Sequence, residues 1–161
     1  MASGDSLITL DALSNRPPTS NYASVDLRNG FVVLDFDDTA NETALFLAVL
    51  PSHYSGGSLA ATAGWTTTSA TTGNVKLRIE VTRIASGVSF DALPAADGMT
   101  ELSVGAPATA GELAMAQTAT FAAGDAAAGD MLLVSFTRLA SDAGDTIVGD
   151  FELVSLVILE A

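Results

Sequence analysis

Acidic and hydroxyl side chains crowd the stretch FVVLDFDDTANET at residues 31–43. The apolar run ends with Asp35 and Asp37, which are two positions apart. Aspartate-based phosphatases present their nucleophile and their general acid at this spacing. That chemistry also needs a lysine facing the phosphate, Mg²⁺ ligands and a parallel sheet with crossover helices. The only lysine, Lys76, lies midway along a predicted strand, and an apolar strand follows Thr39 too closely for a crossover helix. The sequence therefore argues against a phosphatase.

Calcium binding is the second chemistry that this stretch suggests, because it offers several hard oxygen ligands within eight positions. The candidate ligands are Asp35, Asp37, Asp38, Asn41 and Glu42. The spacing is not that of an EF-hand, since the twelfth position from Asp35 is Phe46 and the sixth is not glycine. The alternative is a solvated acidic turn between antiparallel strands, in which Asp38 or Asn41 bonds to the local backbone. We predict the turn, and no cofactor.

Nucleophilic catalysis has little support, because His53 is the single histidine and its neighbour Ser52 would point away from it. No catalytic residue, and no enzyme, is predicted. Trp65, Tyr54 and His53 form a candidate glycan-binding set, since a tryptophan with a nearby tyrosine can stack on sugars. The alternative is that Trp65 anchors the core or a subunit interface.

The composition limits the partners of the chain. Six Lys and Arg residues against 19 Asp and Glu residues give a net charge of −13. Phosphate backbones and anionic lipids are repelled by such a surface, so neither nucleic acid nor a membrane is an expected partner. The start of the chain has no secretory-signal pattern, and the protein is expected to be soluble. A mean hydropathy of +0.40 with only 16% charged residues favours subunit contacts.

Short β-rich segments separated by turn residues indicate an all-β protein. In NVKLRIEVTRI, residues 74–84, aliphatic side chains alternate with charged ones, as they do in a half-buried strand. About eight antiparallel strands with long connections fit a single jelly-roll β-sandwich over residues 25–161. Residues 1–24, which include Pro17 and Pro18, are expected to form an N-terminal arm and connector.

Two predicted strands, at residues 43–50 and 146–159, are apolar on both faces. Strands of this kind must be covered on both faces, and in a small sandwich the second cover is expected to be another subunit. The predicted oligomer interface consists of Phe46, Val154, Leu156 and Ile158.

One basic residue near the end of the chain is followed by several acids. Arg138 is expected to form a bidentate bridge that ties a loop to the sheet, with Asp142, Asp145, Asp150 or Glu152 as its partner. This role is structural.

Three blocks of the sequence together resemble jelly-roll virion proteins of tailed bacteriophages. They are FDDTANETALFLAVLPSHYSGG, then WTTTSATTGNVKLRIEVTRI, then RLASDAGDTIVGDFELVSLVI. The similarity extends from about Leu27 to the C-terminus, except for residues 85–111. It implies a capsid decoration (cement) protein or a tail-fibre component.

The resemblance implies a homotrimer that docks on the major capsid protein, or on another virion protein, and stabilises the capsid. The protein would then be found on the virion surface, and in the host cytoplasm during assembly. The alternative function is a carbohydrate-binding or receptor-binding module of a phage tail fibre, which would use Trp65, Tyr54 and His53.

Overall fold

Alternating apolar residues form the strands of this protein, as the sequence predicts. A computed structural model describes residues 4–161, which contain ten strands and one 3₁₀ helix, Ala12–Ser14. The strands are β1 Ser6–Asp11, β2 Ser24–Arg28, β3 Phe31–Phe36, β4 Glu42–Val49, β5 Leu59–Thr67, β6 Asn74–Ile84, β7 Gly98–Gly105, β8 Ala114–Gln117, β9 Met131–Arg138 and β10 Phe151–Glu160. Within this range no helix is long and apolar enough to cross a membrane.

The strands form two sheets that face each other. The front sheet has the order β2-β3-β10-β5-β8, and β1 pairs with β10 beside it. The back sheet has the order β4-β9-β6-β7. Every pair of strands in the two sheets is antiparallel, so the all-β antiparallel sandwich expected from the sequence is present.

Four aromatic rings fill the centre of the sandwich. Trp65 stacks on Phe151 with ring centroids 4.9 Å apart, and Phe136 stacks on the same ring at 5.8 Å. Phe36 meets Phe136 and Phe151 edge-on at 5.5 and 5.7 Å. Such aromatic pairs contribute beyond the area that they bury, and this cluster joins β3, β5 and β10 of the front sheet to β9 of the back sheet.

Arg138 ends β9 as a fully buried cation. Its Nε and Nη2 donate to the two carboxylate oxygens of Asp145 at 3.1 and 2.8 Å. Its Nη1 donates to the carbonyl oxygens of Phe36 and Gly149, both at 3.0 Å. The predicted bidentate bridge is therefore present, and Asp145 is the partner.

The N-terminal segment is part of the sandwich, which corrects the expectation of an arm over residues 1–24. Residues 1–3 lie outside the described residues, but β1 pairs with β10 and buries Leu7, Ile8 and Leu10. The connector that follows covers the edge of β4, because the Asn15 side chain accepts from Leu45 N–H at 3.1 Å. These pairings satisfy backbone groups that a free arm would leave to water.

The predicted oligomer interface is wrong for three of its four residues. Phe46, Leu156 and Ile158 are buried between the two sheets of a single chain. Only Val154 lies on the outside, because the pairing of β10 with β5 shifts register between Leu153 and Ser155. This bulge reverses the alternation that the sequence suggests for β10. The homotrimer itself stays a prediction.

The outer face of β4 receives part of its cover from its own chain. Leu45 and Leu47 are half-buried, and together with Phe90 and Leu93 of the loop at residues 85–97 they line a cavity of about 200 Å³. The second apolar face that suggested a partner subunit is thus partly shielded by this loop.

We expect Arg138→Met to lower the free energy of unfolding by about 3–5 kcal/mol, because it leaves the buried Asp145 carboxylate without its partner. Urea unfolding of the wild type and the variant measures the change. The control is Arg78→Met, which removes an exposed bridge to Glu101 and should cost below about 1 kcal/mol. Equal losses in the two variants would contradict the structural role of Arg138.

Candidate functional site

The three residues predicted to bind glycan do not form a platform. Trp65 is only 1% exposed and stacks on Phe151 in the core, so no sugar can reach its ring. Tyr54 is buried too, and its hydroxyl donates to the Gly57 carbonyl at 2.6 Å. His53 is exposed beside it. The alternative prediction, that Trp65 anchors the core, agrees with its position, because the alternation along β5 turns this side chain inward.

The candidate calcium ligands lie at the corner between β3 and β4, where most of them bond to backbone N–H groups. Asp37 Oδ1 accepts from Thr39 N–H at 2.6 Å, and Glu42 Oε2 accepts from Asp37 N–H at 2.8 Å. Asp38 Oδ2 accepts from Gly149 N–H at 2.6 Å. The local bonds of the predicted acidic turn are thus made by Asp37 and Glu42, whereas Asp38, which was expected to bond locally, ties the turn to the segment just before β10.

Asn41 was also expected to bond locally, but its side-chain oxygen accepts from both the N–H and the hydroxyl of Ser141, after β9, at 2.9 Å. Within residues 4–161, no group of three or more His, Cys, Asp or Glu side chains is arranged so that it could hold a metal ion. The corner therefore carries no argument for a cation here.

A small polar cleft of about 130 Å³ adjoins this corner on the outer side of the front sheet. It is lined by Ser24, Asp35, Asp37, Glu42 and Asp150. Burial, followed by the charges of Asp150 and Glu152, raises the pKa of Asp35 to about 7. Burial likewise raises the pKa of Glu42 and that of Asp150. The cleft thus holds carboxyls that resist simultaneous ionisation at neutral pH.

A larger and mainly apolar groove of about 390 Å³ lies beside that cleft on the same outer face. Phe31 and Leu113 form its walls, and both are strongly exposed, at 71% and 63%. Val33 and Val154 contribute apolar floor. Exposed aromatic and aliphatic side chains around a concave surface are typical of a binding site rather than of a solvated face.

The β2–β3 hairpin places two of the groove residues side by side. Arg28 pairs with Phe31, and the two residues between them, Asn29 and Gly30, have φ angles of 49° and 83°. Two central residues with positive φ make the type I′ turn that suits a two-residue hairpin, and Asn-Gly is its preferred sequence. This Asn-Gly pair is the sequence signal from which the hairpin, and the position of Phe31 directly after its turn, could have been predicted.

Two further local features keep the groove open. The bulge at Val154 turns an apolar side chain of β10 outward into the floor. Gly111 has φ +86°, and a Cβ added there would lie 3.2 Å from Nη2 of Arg28. A side chain at position 111 would be strained and would press on the guanidinium, so glycine leaves that edge of Arg28 accessible.

The polar groups of the groove are few and specific. Arg28 donates through Nη1 to Oε2 of Glu152, whose side chain is buried. Thr66 is 4% exposed, and its Oγ1 is buried without a hydrogen-bond partner within residues 4–161. Buried hydroxyls nearly always have a partner, so Thr66 offers an unused donor and acceptor at the floor.

No protein-family model and no curated protein sequence matches the chain. Solved structures do match it. A family 35 carbohydrate-binding module from Clostridium thermocellum superposes with a TM-score of 0.59 at 15% identity, covering 98% of this chain and 100% of that one. The module CBM6cm-2 of Cellvibrio mixtus lichenase 5A, in complex with cellotriose, gives 0.54 at 13% identity, covering 98% and 99%.

The CBM22-2 xylan-binding domain from Paenibacillus barcinonensis Xyn10C gives a TM-score of 0.52 at 12% identity, covering 96% of this chain and 99% of that one. At these identities the likeness establishes a shared fold. The jelly-roll β-sandwich predicted from the sequence is thereby confirmed.

The raised pKa of Asp35 predicts that stability falls as pH rises. The folded state holds this proton up to about pH 7, whereas the carboxyl of the unfolded chain has its ordinary pKa of 3.8, so stability is lost as the pH rises between those two values. We expect Asp35→Asn to be more stable than the wild type by about 1 kcal/mol at pH 8, after allowing for solvent screening. Thermal unfolding at pH 4 and pH 8 measures the difference.

At pH 4 the advantage of Asp35→Asn should disappear, because the wild-type carboxyl is then protonated as well. The control is Asp91→Asn, an exposed position in the loop at residues 85–97, where a surface substitution should change the free energy of unfolding by less than about 0.5 kcal/mol. A variant that is less stable than the wild type at pH 8 would contradict this account of Asp35.

Proposed function

We propose that this chain is a non-catalytic carbohydrate-binding domain that binds a saccharide in the groove on the outer face of the front sheet. The observation that carries the proposal is the combination of the exposed Phe31 ring with the buried, unpartnered hydroxyl of Thr66. One offers a stacking surface and the other offers a hydrogen bond, and both line the same groove.

A sugar ring has chemistry that matches this pair. Its C–H face is apolar and packs on aromatic rings, whereas its rim carries hydroxyls that both donate and accept hydrogen bonds. Phe31 and Leu113 can cover the face, and Thr66 and Arg28 can meet the rim. The volume of about 390 Å³ lies within the range of about 300–1,000 Å³ that is usual for small-ligand sites.

The fold comparisons support a binding role. The structures named above are carbohydrate-binding modules, one of them bound to cellotriose and another described as xylan-binding. The polar residues that line the groove are Arg28, Asn29 and Thr66, which offer hydrogen bonds but no paired carboxylates for glycoside hydrolysis. We therefore propose binding without turnover.

The resemblance to phage virion proteins leaves the location of this binding domain as a prediction. A receptor-binding module of a tail fibre agrees with the groove, with Phe31 in place of the predicted Trp65. Capsid decoration by a homotrimer on the major capsid protein has no support in the solved structures named above. Co-sedimentation of the purified protein with capsids would test it directly.

We expect Phe31→Ala to weaken saccharide binding by at least tenfold, because the main stacking surface of the groove is lost. A glycan array with the purified wild type identifies binders, and isothermal titration then compares the variants. The matched control is Phe90→Ala, which removes a phenylalanine of similar exposure, 69%, at the back sheet and should leave affinity unchanged.

Two results would overturn the proposal. The first is an array on which the wild type binds no saccharide at all. The second is binding that Phe31→Ala and Phe90→Ala affect equally, since the ligand would then occupy another surface.

A further inference from the structure

We propose that the ion pair between Arg28 and Glu152 makes the groove selective for uncharged saccharides and excludes sugars that carry carboxylate or sulfate groups. This inference rests on the proposed function and names the ligand class of the same site. Glu152 is the specificity-determining residue, and it acts through Arg28 rather than by contact with the ligand.

Arg28 is able to face a ligand because only part of its guanidinium is engaged. Nη1 donates to Glu152, and within residues 4–161 Nε and Nη2 donate to no other residue. Gly111 leaves the space beside Nη2, as described above, so these two N–H groups are open to the groove. Such an edge suits either a sugar hydroxyl or, as a bidentate fork, a carboxylate.

The charge balance decides between these two ligands. Glu152 is buried and pairs with Arg28, the one cation among the described residues that line the groove, so it neutralises that charge. Asp35 is the cross-strand partner of Glu152 on the next strand, and Asp26 lies opposite Val33 on the same outer face. The anionic group of a charged sugar would lose its hydration on binding, and no unpaired cation in the groove would compensate for that loss. It would also come close to the carboxyl groups of Asp35 and Asp26.

A row of cross-strand neighbours sets this arrangement. Thr66 on β5 pairs with Glu152 on β10, and Glu152 pairs with Asp35 on β3. Thr66 and Arg28 both line the groove, and Glu152 is the neighbour that they share, so the hydroxyls of one sugar are placed to meet both residues. An alkyl chain of similar size would leave both polar groups unpaired, which disfavours a lipid as the occupant.

The test uses matched neutral and anionic tetrasaccharides: cellotetraose with its C6-oxidised counterpart, mannotetraose with tetramannuronate, and galactotetraose with tetragalacturonate. Isothermal titration at fixed ionic strength gives the affinities. The wild type is expected to bind at least one neutral member tenfold or more tightly than its uronate. Glu152→Gln, which leaves the charge of Arg28 uncompensated, should shift that ratio at least tenfold toward the uronate.

Two further variants separate selectivity from a general structural effect. Arg28→Gln combined with Glu152→Gln should lose the gain in uronate binding, because the cation that attracts the carboxylate is gone. Thr66→Val should weaken neutral binding about threefold to tenfold without lowering the unfolding midpoint, because the hydroxyl has no partner in the free protein. Phe90→Ala is again the control, with an unchanged ratio.

The outcomes distinguish this inference from the proposed function. If the wild type binds a uronate as tightly as its neutral counterpart, the charge selectivity is wrong while the glycan site stands. If Glu152→Gln folds and its ratio does not change, Glu152 does not determine specificity. If no tetrasaccharide of any pair binds, the inference fails, and the glycan array decides separately whether the proposed function fails with it. The wild-type comparison needs no substitution, so it remains decisive even if Glu152→Gln is unstable.

Discussion

The bridge between Arg138 and Asp145 is the interaction on which the rest of the structure depends. Besides holding Arg138, Asp145 accepts from Lys76 N–H at 3.0 Å, which joins the loop at residues 142–149 to β6. Arg138 in turn binds the carbonyls of Phe36 and Gly149, at the end of β3 and just before β10. A buried guanidinium is destabilising unless its N–H groups find acceptors. Here the Asp145 carboxylate and the two carbonyls accept those hydrogen bonds.

The hydrogen bonds of Arg138 also constrain the candidate site. The groove takes Phe31 and Val33 from β3, and Val154 from β10, with the buried Glu152 beside it. Because Arg138 fixes one end of each of these two strands, the register in which they meet is fixed as well. A shift of one residue along either strand would separate the wall of the groove from its floor.

Much of the fold could be predicted from the sequence, because alternation reports burial directly. The strand at residues 74–84 and the bridge from Arg138 to a nearby acid were both readable from residue types and spacing. The jelly-roll class followed from the number of strands and the lengths of the connections. The apolar run at residues 7–10 was assigned to an arm rather than to the sheet, because Pro17 and Pro18 follow it closely and suggested an extended connector.

The site was harder to predict, because alternation assigns a side chain to a face without saying which face is the core. Trp65 satisfied the pattern of an exposed platform as well as that of a core anchor, and only the packing against Phe151 decides. In β10 the bulge at Val154 interrupts the alternation of inward and outward side chains. An alternation counted from one end of the strand therefore assigns residues beyond the bulge to the wrong face. The Asn29-Gly30 pair was an available signal for the hairpin that places Phe31.

That two-residue turn has a consequence for how this surface could vary. Along β3, Leu34 and Phe36 point into the core, whereas Phe31 and Val33 point into the groove. One added residue between Arg28 and Phe31, if absorbed by a slip of β3, would exchange these two sets and turn the side chains that line the groove into the interior. The lining of the groove and the register of β3 are therefore set together, so substitutions can alter the groove alone, whereas changes of length at this turn endanger the fold as well.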